Sequence, residues 1–103
     1  MISWDRVNEL RDEIGEDDFA EVAEIFLEEV EEVIDRLRTD PQPAQFEQDL
    51  HFLKSSSLNL GFEALSKVCS DGERQAAAGE FDPAGLGAVF ATFDASKEAF
   101  LAR

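Results

Sequence analysis

An all-α fold, an antiparallel four-helix bundle with a short N-terminal helix packed on it, is what this sequence predicts. Three observations carry it. Tyr is absent and Thr rare while Ala, Glu and Leu abound, a balance that favours helix over strand. Apolar residues recur every three or four positions in five successive segments, and no alternating strand pattern competes. Pro and Gly punctuate the segments at short intervals, so each amphipathic helix can hide its apolar face only against its neighbours.

The first segment places Trp4, Val7, Leu10 and Ile14 on one face, with Ser3 as N-cap and Gly15 as its stop. Asp17 or Asp18 is expected to cap the second. There Phe19, Val22, Phe26, Val30, Val33 and Leu37 repeat over about five turns. Ile25, Leu27 and Ile34 widen that stripe beyond one core face, which suits either the first helix alongside or an exposed docking surface. The acidic run Glu28, Glu29, Glu31 and Glu32 fills the opposite, solvated side. Asp40-Pro41-Gln42-Pro43 breaks the chain, with Pro43 placed as a first helical residue. Phe46, Leu50, Leu53, Ser57 and Leu60 form the third stripe, which ends at Gly61. A fourth helix from near Phe62 turns Leu65, Val68, Cys69 and Ala76 inward, and Gly72 lies in its stripe at a cost of about 1 kcal/mol relative to Ala. Ala78-Gly79 ends it. Asp82-Pro83 opens a fifth, carrying Leu86, Val89, Phe90, Phe93 and Phe100, with Lys97 reaching to water from the same stripe.

The chain of 103 residues is expected to be a single domain, 1–103. Its net charge of −15 argues against nucleic acid or an anionic membrane as partner, since both need a positive footprint. The longest uncharged stretch, Pro83 to Phe93, falls far short of the ~20 residues of a spanning helix. MISWDRVNEL lacks the apolar core of a signal peptide, so a cytoplasmic protein is expected. A single cysteine, Cys69, forms no internal disulfide, and on an apolar stripe it reads as inert packing. Gly85-Leu86-Gly87 lacks the further glycine, strand and lysine of a phosphate-binding loop, and the chain is too short to add an ATP-binding domain, which argues against a kinase.

The one histidine sits off the core stripe. With Leu50 at zero on a wheel of about 100° per residue, the buried stripe covers roughly −80° to 0° and His51 falls near +100°. Glu47, Lys54, Ser55 and Leu58 share its face. Lys54, at i+3, would meet a phosphoryl group carried on the imidazole. Ser55, with Ser56 and Ser57 after it, keeps the surface low for an approaching protein. Leu58 is an apolar residue where a polar one would serve solvent better.

The run Leu50-His51-Phe52-Leu53-Lys54-Ser55-Ser56-Ser57-Leu58-Asn59-Leu60-Gly61-Phe62, with Leu65 and Cys69 beyond it, resembles the histidine-containing phosphotransfer (HPt) family. That family's motif reads roughly His-x-Leu-Lys-Gly-Ser-Ser-x-x-Leu-Gly, and its usual Gly after the Lys is Ser55 here. The resemblance implies a stand-alone phosphorelay module in which His51 accepts a phosphoryl group from a receiver-domain aspartate and passes it to another. Lys54 would stabilise the charge. The implied partners are response-regulator receivers and a hybrid sensor kinase, with any magnesium supplied by the receiver and no cofactor of its own. The protein would be a monomeric carrier, a substrate of its partners rather than an enzyme. Ser55, Leu58, Glu47 and the wider edge of the second helix, Leu27 or Ile34, are the expected docking residues. The competing reading is an acidic bundle that binds a protein partner without phosphorylation.

Overall fold

In a computed structural model that describes residues 2–102, most of the described residues are helical. Five α-helices are present among the described residues: α1 (Trp4–Ile14), α2 (Glu16–Thr39), α3 (Phe46–Leu60), α4 (Glu63–Ala77) and α5 (Leu86–Ala102). Single 3-10 turns at Pro43–Gln45 and Pro83–Gly85 lead into α3 and α5, each with its proline in the first turn. They pack as an elongated helical bundle of 42 × 22 × 20 Å. Neighbouring pairs are α3 with α4, α4 with α5 and α2 with α3, while α1 lies against α2 and α3.

Local chemistry sets most boundaries where the sequence places them. The Ser3 hydroxyl accepts from the backbone N–H of Arg6 and caps α1. Asp82 accepts from the N–H of Ala84 and starts the turn before α5. The start of α2 differs: neither Asp17 nor Asp18 caps it. Gly15 serves as C-cap of α1 and N-cap of α2 at once, so the chain leaves one helix and enters the next with no intervening loop. Both aspartates fall in the first turn, where their charge still complements the helix dipole.

Gly61 shows what fixes α1 in place. Its φ of +85° ends α3 in the left-handed region, and a Cβ there would stand 2.8 Å from the carbonyl oxygen of Ser3. The Ser3 N–H donates to the Gly61 carbonyl at 2.7 Å. A side chain at 61 would therefore strain the backbone and push α1 away. Gly72 has a packing reason of its own: a Cβ would meet Leu50 at 3.1 Å and Phe81 at 3.2 Å, so its absence lets α4 approach α3. The helix propensity lost there is exchanged for close contact.

The core runs through all five helices, with Ile34, Leu50, Leu53, Leu65 and Cys69 fully enclosed. Truncating one such leucine to alanine costs about 2–5 kcal/mol. The stripe on α2 is phased differently from the sequence expectation. Phe19, Ala23, Leu27, Val30, Ile34 and Leu37 are buried, whereas Val22, Phe26 and Val33 are only half-buried. Lys97 is also corrected. It is half-buried, and its ammonium donates to Glu31 of α2 at 2.8 Å instead of extending to water. A second tie, Arg36 of α2 to Asp49 of α3 at 2.5 Å, holds a buried carboxylate beside the α3 stripe. The hydrogen bond to Asp49 raises the Arg36 pKa above its ordinary value, so the cation persists at any physiological pH.

Candidate functional site

His51 stands on the exposed face of α3, with its side chain 62% accessible. The apolar stripe of Phe46, Leu50, Leu53 and Leu60 anchors that helix from behind. Lys54, one turn on, is drawn partly inward by a carboxylate the sequence analysis did not single out. Glu73, on α4, bridges the two. Its Oε2 is hydrogen-bonded to Nδ1 of His51, and its Oε1 accepts from Nζ of Lys54 at 2.7 Å.

The electrostatics follow from this bridge. The hydrogen bond from Lys54 holds the Glu73 carboxyl below its usual range; the bond to His51 adds to the effect, and partial burial opposes it. Glu73 is therefore ionised at neutral pH. An ionised carboxylate only accepts, so Nδ1 of His51 donates to it, and in the neutral form of the ring the lone pair is on Nε2. The ring is oriented on one side and open on the other. Cys69, one turn before Glu73 and fully enclosed, has its thiol pushed up to about 12 by burial, and secondarily by the Glu73 charge. It is inert packing. Among the described residues, no group of three His, Cys, Asp or Glu side chains is placed to hold a metal ion.

The expected docking residues divide. Glu47, Ser55 and Leu58 are exposed on the His51 side of α3, and Leu58 keeps 54% of its surface accessible. Of the three serines only Ser55 is at the surface, since Ser56 and Ser57 are buried. Leu27 and Ile34 are not surface residues of this face: Ile34 is fully enclosed and Leu27 is 8% exposed. Their side of α2 turns into the core. The apolar side chain that α2 does expose is Ile25, at 47%. Ile25 precedes Arg36 by three helical turns, within about 20° on the wheel, and Arg36 reaches α3. Ile25 therefore lies on the α3 side of α2, the position sequence phasing had assigned to its neighbours.

A helical bundle with an exposed histidine on one helix is consistent with a histidine phosphotransfer module. The Hpt domain family model matches residues 21–99, a stretch that includes His51, Lys54 and Glu73, and the chain belongs to that family. Hpt domains are phosphorelay carriers that interact with response-regulator receivers and kinases. Searches of curated proteins and of solved structures gave no match. No helix among the described residues is long and apolar enough to cross a membrane.

Proposed function

We propose that His51 is the phosphoacceptor of a phosphorelay, taking a phosphoryl group from a receiver aspartate and delivering it to another receiver. The observation that supports this most directly is the Glu73 bridge, which engages Nδ1 and leaves Nε2 of the neutral ring as the nitrogen that can attack. In the forward step the Nε2 lone pair attacks phosphorus. The P–O bond of the aspartyl phosphate breaks, and the receiver carboxylate leaves with its electron pair. The proton on Nδ1 stays in the bond to Glu73, so the phosphorylated ring needs no external base. Delivery to the second receiver is the reverse displacement.

Lys54 supplies charge stabilisation. It is 2.7 Å from Glu73 and one turn from His51, so a small rotation moves its ammonium towards the transferring oxygens. Phosphoryl transfer depends mainly on positioning and electrostatics, which suits a carrier that brings one nucleophile and one cation. Glu47, Ser55, Leu58 and Ile25 form the surface a receiver would meet. The reading includes a monomeric carrier in the cytoplasm.

Incubation with a phosphorylated receiver tests it. Wild-type protein should acquire acid-labile, alkali-stable phosphate and His51→Gln should acquire none, with an unchanged melting temperature because the ring is exposed. Phosphate retained on His51→Gln would overturn the assignment.

A further inference from the structure

On the side of α2 turned away from α3, a groove of about 720 Å³ opens between α1, α2 and α5. Trp4, Phe19, Ala23, Leu27, Phe100 and Leu101 supply its apolar lining. Trp4 and Phe100 stack with centroids 6.2 Å apart, and Leu101 leaves 62% of its surface to solvent. The α2 residues that line it run from Phe19 to Glu31, about 18 Å of helix at 1.5 Å per residue. That length accepts apolar anchors at i, i+4 and i+7 of a partner helix, which need about 10 Å.

The charge around the groove says what such a helix must carry. Glu24, Glu28 and Glu31 stand along it. Glu31 is neutralised by Lys97, but Glu24 and Glu28 make no ion pair with any described residue. From Asp12 to Asp35 the chain holds twelve Asp and Glu and no Lys, Arg or His. The other cation at the groove, Arg11, is engaged over the Phe19 ring at 4.7 Å. With a net charge of −15, a second copy of this chain would bring like charge to the same edge.

We propose that this groove docks a basic amphipathic helix of another protein, with apolar side chains seated on Trp4, Phe100 and Leu101 and Lys or Arg paired with Glu24 and Glu28. The site is separate from the His51 face. Its side of α2 is the one from which Lys97 of α5 is held, not the one from which Arg36 reaches α3. A receiver on α3 and a helix in the groove can therefore be bound together. The proposal stands whether or not His51 is phosphorylated.

The probe is a synthetic amphipathic peptide with Leu at i, i+4 and i+7 and Lys on its other face, titrated into the full chain. Trp4, the only tryptophan, should shift its emission to the blue saturably. Leu101→Asp, an exposed substitution, should weaken binding at least tenfold, and Glu24→Gln/Glu28→Gln at least threefold at low salt. Leu58→Asp on the other face should leave it unchanged. Equal binding of a scrambled peptide of the same charge, or an undiminished affinity in Leu101→Asp, would reduce the groove to an unspecific acidic surface and overturn the proposal. Concentration-dependent dimerisation abolished by Leu101→Asp would overturn it equally, by making the occupant a second copy.

Discussion

Glu73 faces His51 across the α3–α4 contact, with one carboxylate oxygen on the imidazole Nδ1 and the other on the Lys54 ammonium. Two side chains of the proposed site, one turn apart on α3, are thus held by a third, 22 residues beyond His51 in the chain. The arrangement has opposite electrostatic consequences. It fixes the ring and its proton, and it places a negative charge near the position an incoming phosphoryl group would occupy. Lys54 offsets that charge while it is held by Glu73, and in the proposed transfer it would be drawn from Glu73 towards the phosphoryl group.

Glu73→Ala should therefore leave His51 exposed but no longer held in one tautomer. Ring ¹⁵N shifts are expected to show an Nδ1-protonated imidazole in the wild type and a mixture in the variant. Receiver-to-His51 transfer should slow by about tenfold, equivalent to roughly 1.4 kcal/mol in the barrier. Glu73→Gln keeps one acceptor oxygen and should fall between the two. Unchanged ring shifts in Glu73→Ala would show that the carboxylate does not set the tautomer.

How far the sequence carries this picture follows from what a helical wheel can see. It places His51 on the solvent side of α3 because Phe46, Leu50, Leu53 and Leu60 leave only one face for the core. It fails on α2, where large apolar residues cover so much of the circumference that phase depends on the neighbours. Ala23 and Ile34 are the residues enclosed, and Phe26 and Val33 are left half-buried at the edge. Glu73 escapes it altogether, since no local spacing links it to His51. The available signal was its place one turn after Cys69 and next to Gly72, a carboxylate at the margin of a buried stripe.

The depressed pKa of Glu73 makes a pH prediction with a definite sign. A carboxyl whose folded pKa lies below its unfolded value of about 4.3 stabilises the fold above that value. The contribution disappears as pH falls through the lower, folded pKa. The melting temperature of wild type should thus exceed that of Glu73→Gln above about pH 5, and the two should converge in stronger acid. A difference that persisted unchanged into acid would assign the stabilisation to packing.

Leu58 and Ile25 are large apolar side chains that α3 and α2 leave in solvent. From the Arg36–Asp49 tie, Ile25 is 11 residues back along α2, about 16 Å, and Leu58 nine on along α3, about 14 Å. Leu58→Asp and Ile25→Asp should each weaken receiver binding by at least fivefold without lowering the melting temperature, because neither side chain is in the core. Calorimetric affinities equal to wild type for either variant would remove that residue from the interface. Leu27→Asp would instead destabilise the fold.

Ser55→Gly asks whether the hydroxyl next to Lys54 obstructs or assists. Ser55 is exposed and its Oγ makes no hydrogen bond in the free protein, so removing it breaks no internal contact. Glycine in a helix interior costs about 0.5 kcal/mol relative to serine, a fall of roughly 2–4 °C in the melting temperature. The position lies one turn beyond His51 on the same face, between the ring and an approaching domain. In the proposed transfer Lys54 would already offer a donor to the phosphoryl oxygens, so the serine would add bulk more than chemistry. Transfer from a phosphorylated receiver is expected to accelerate in Ser55→Gly despite the lower stability. A slower rate would mean that the hydroxyl bonds the phosphoryl group or the partner in the complex, and would make Ser55 part of the reacting site.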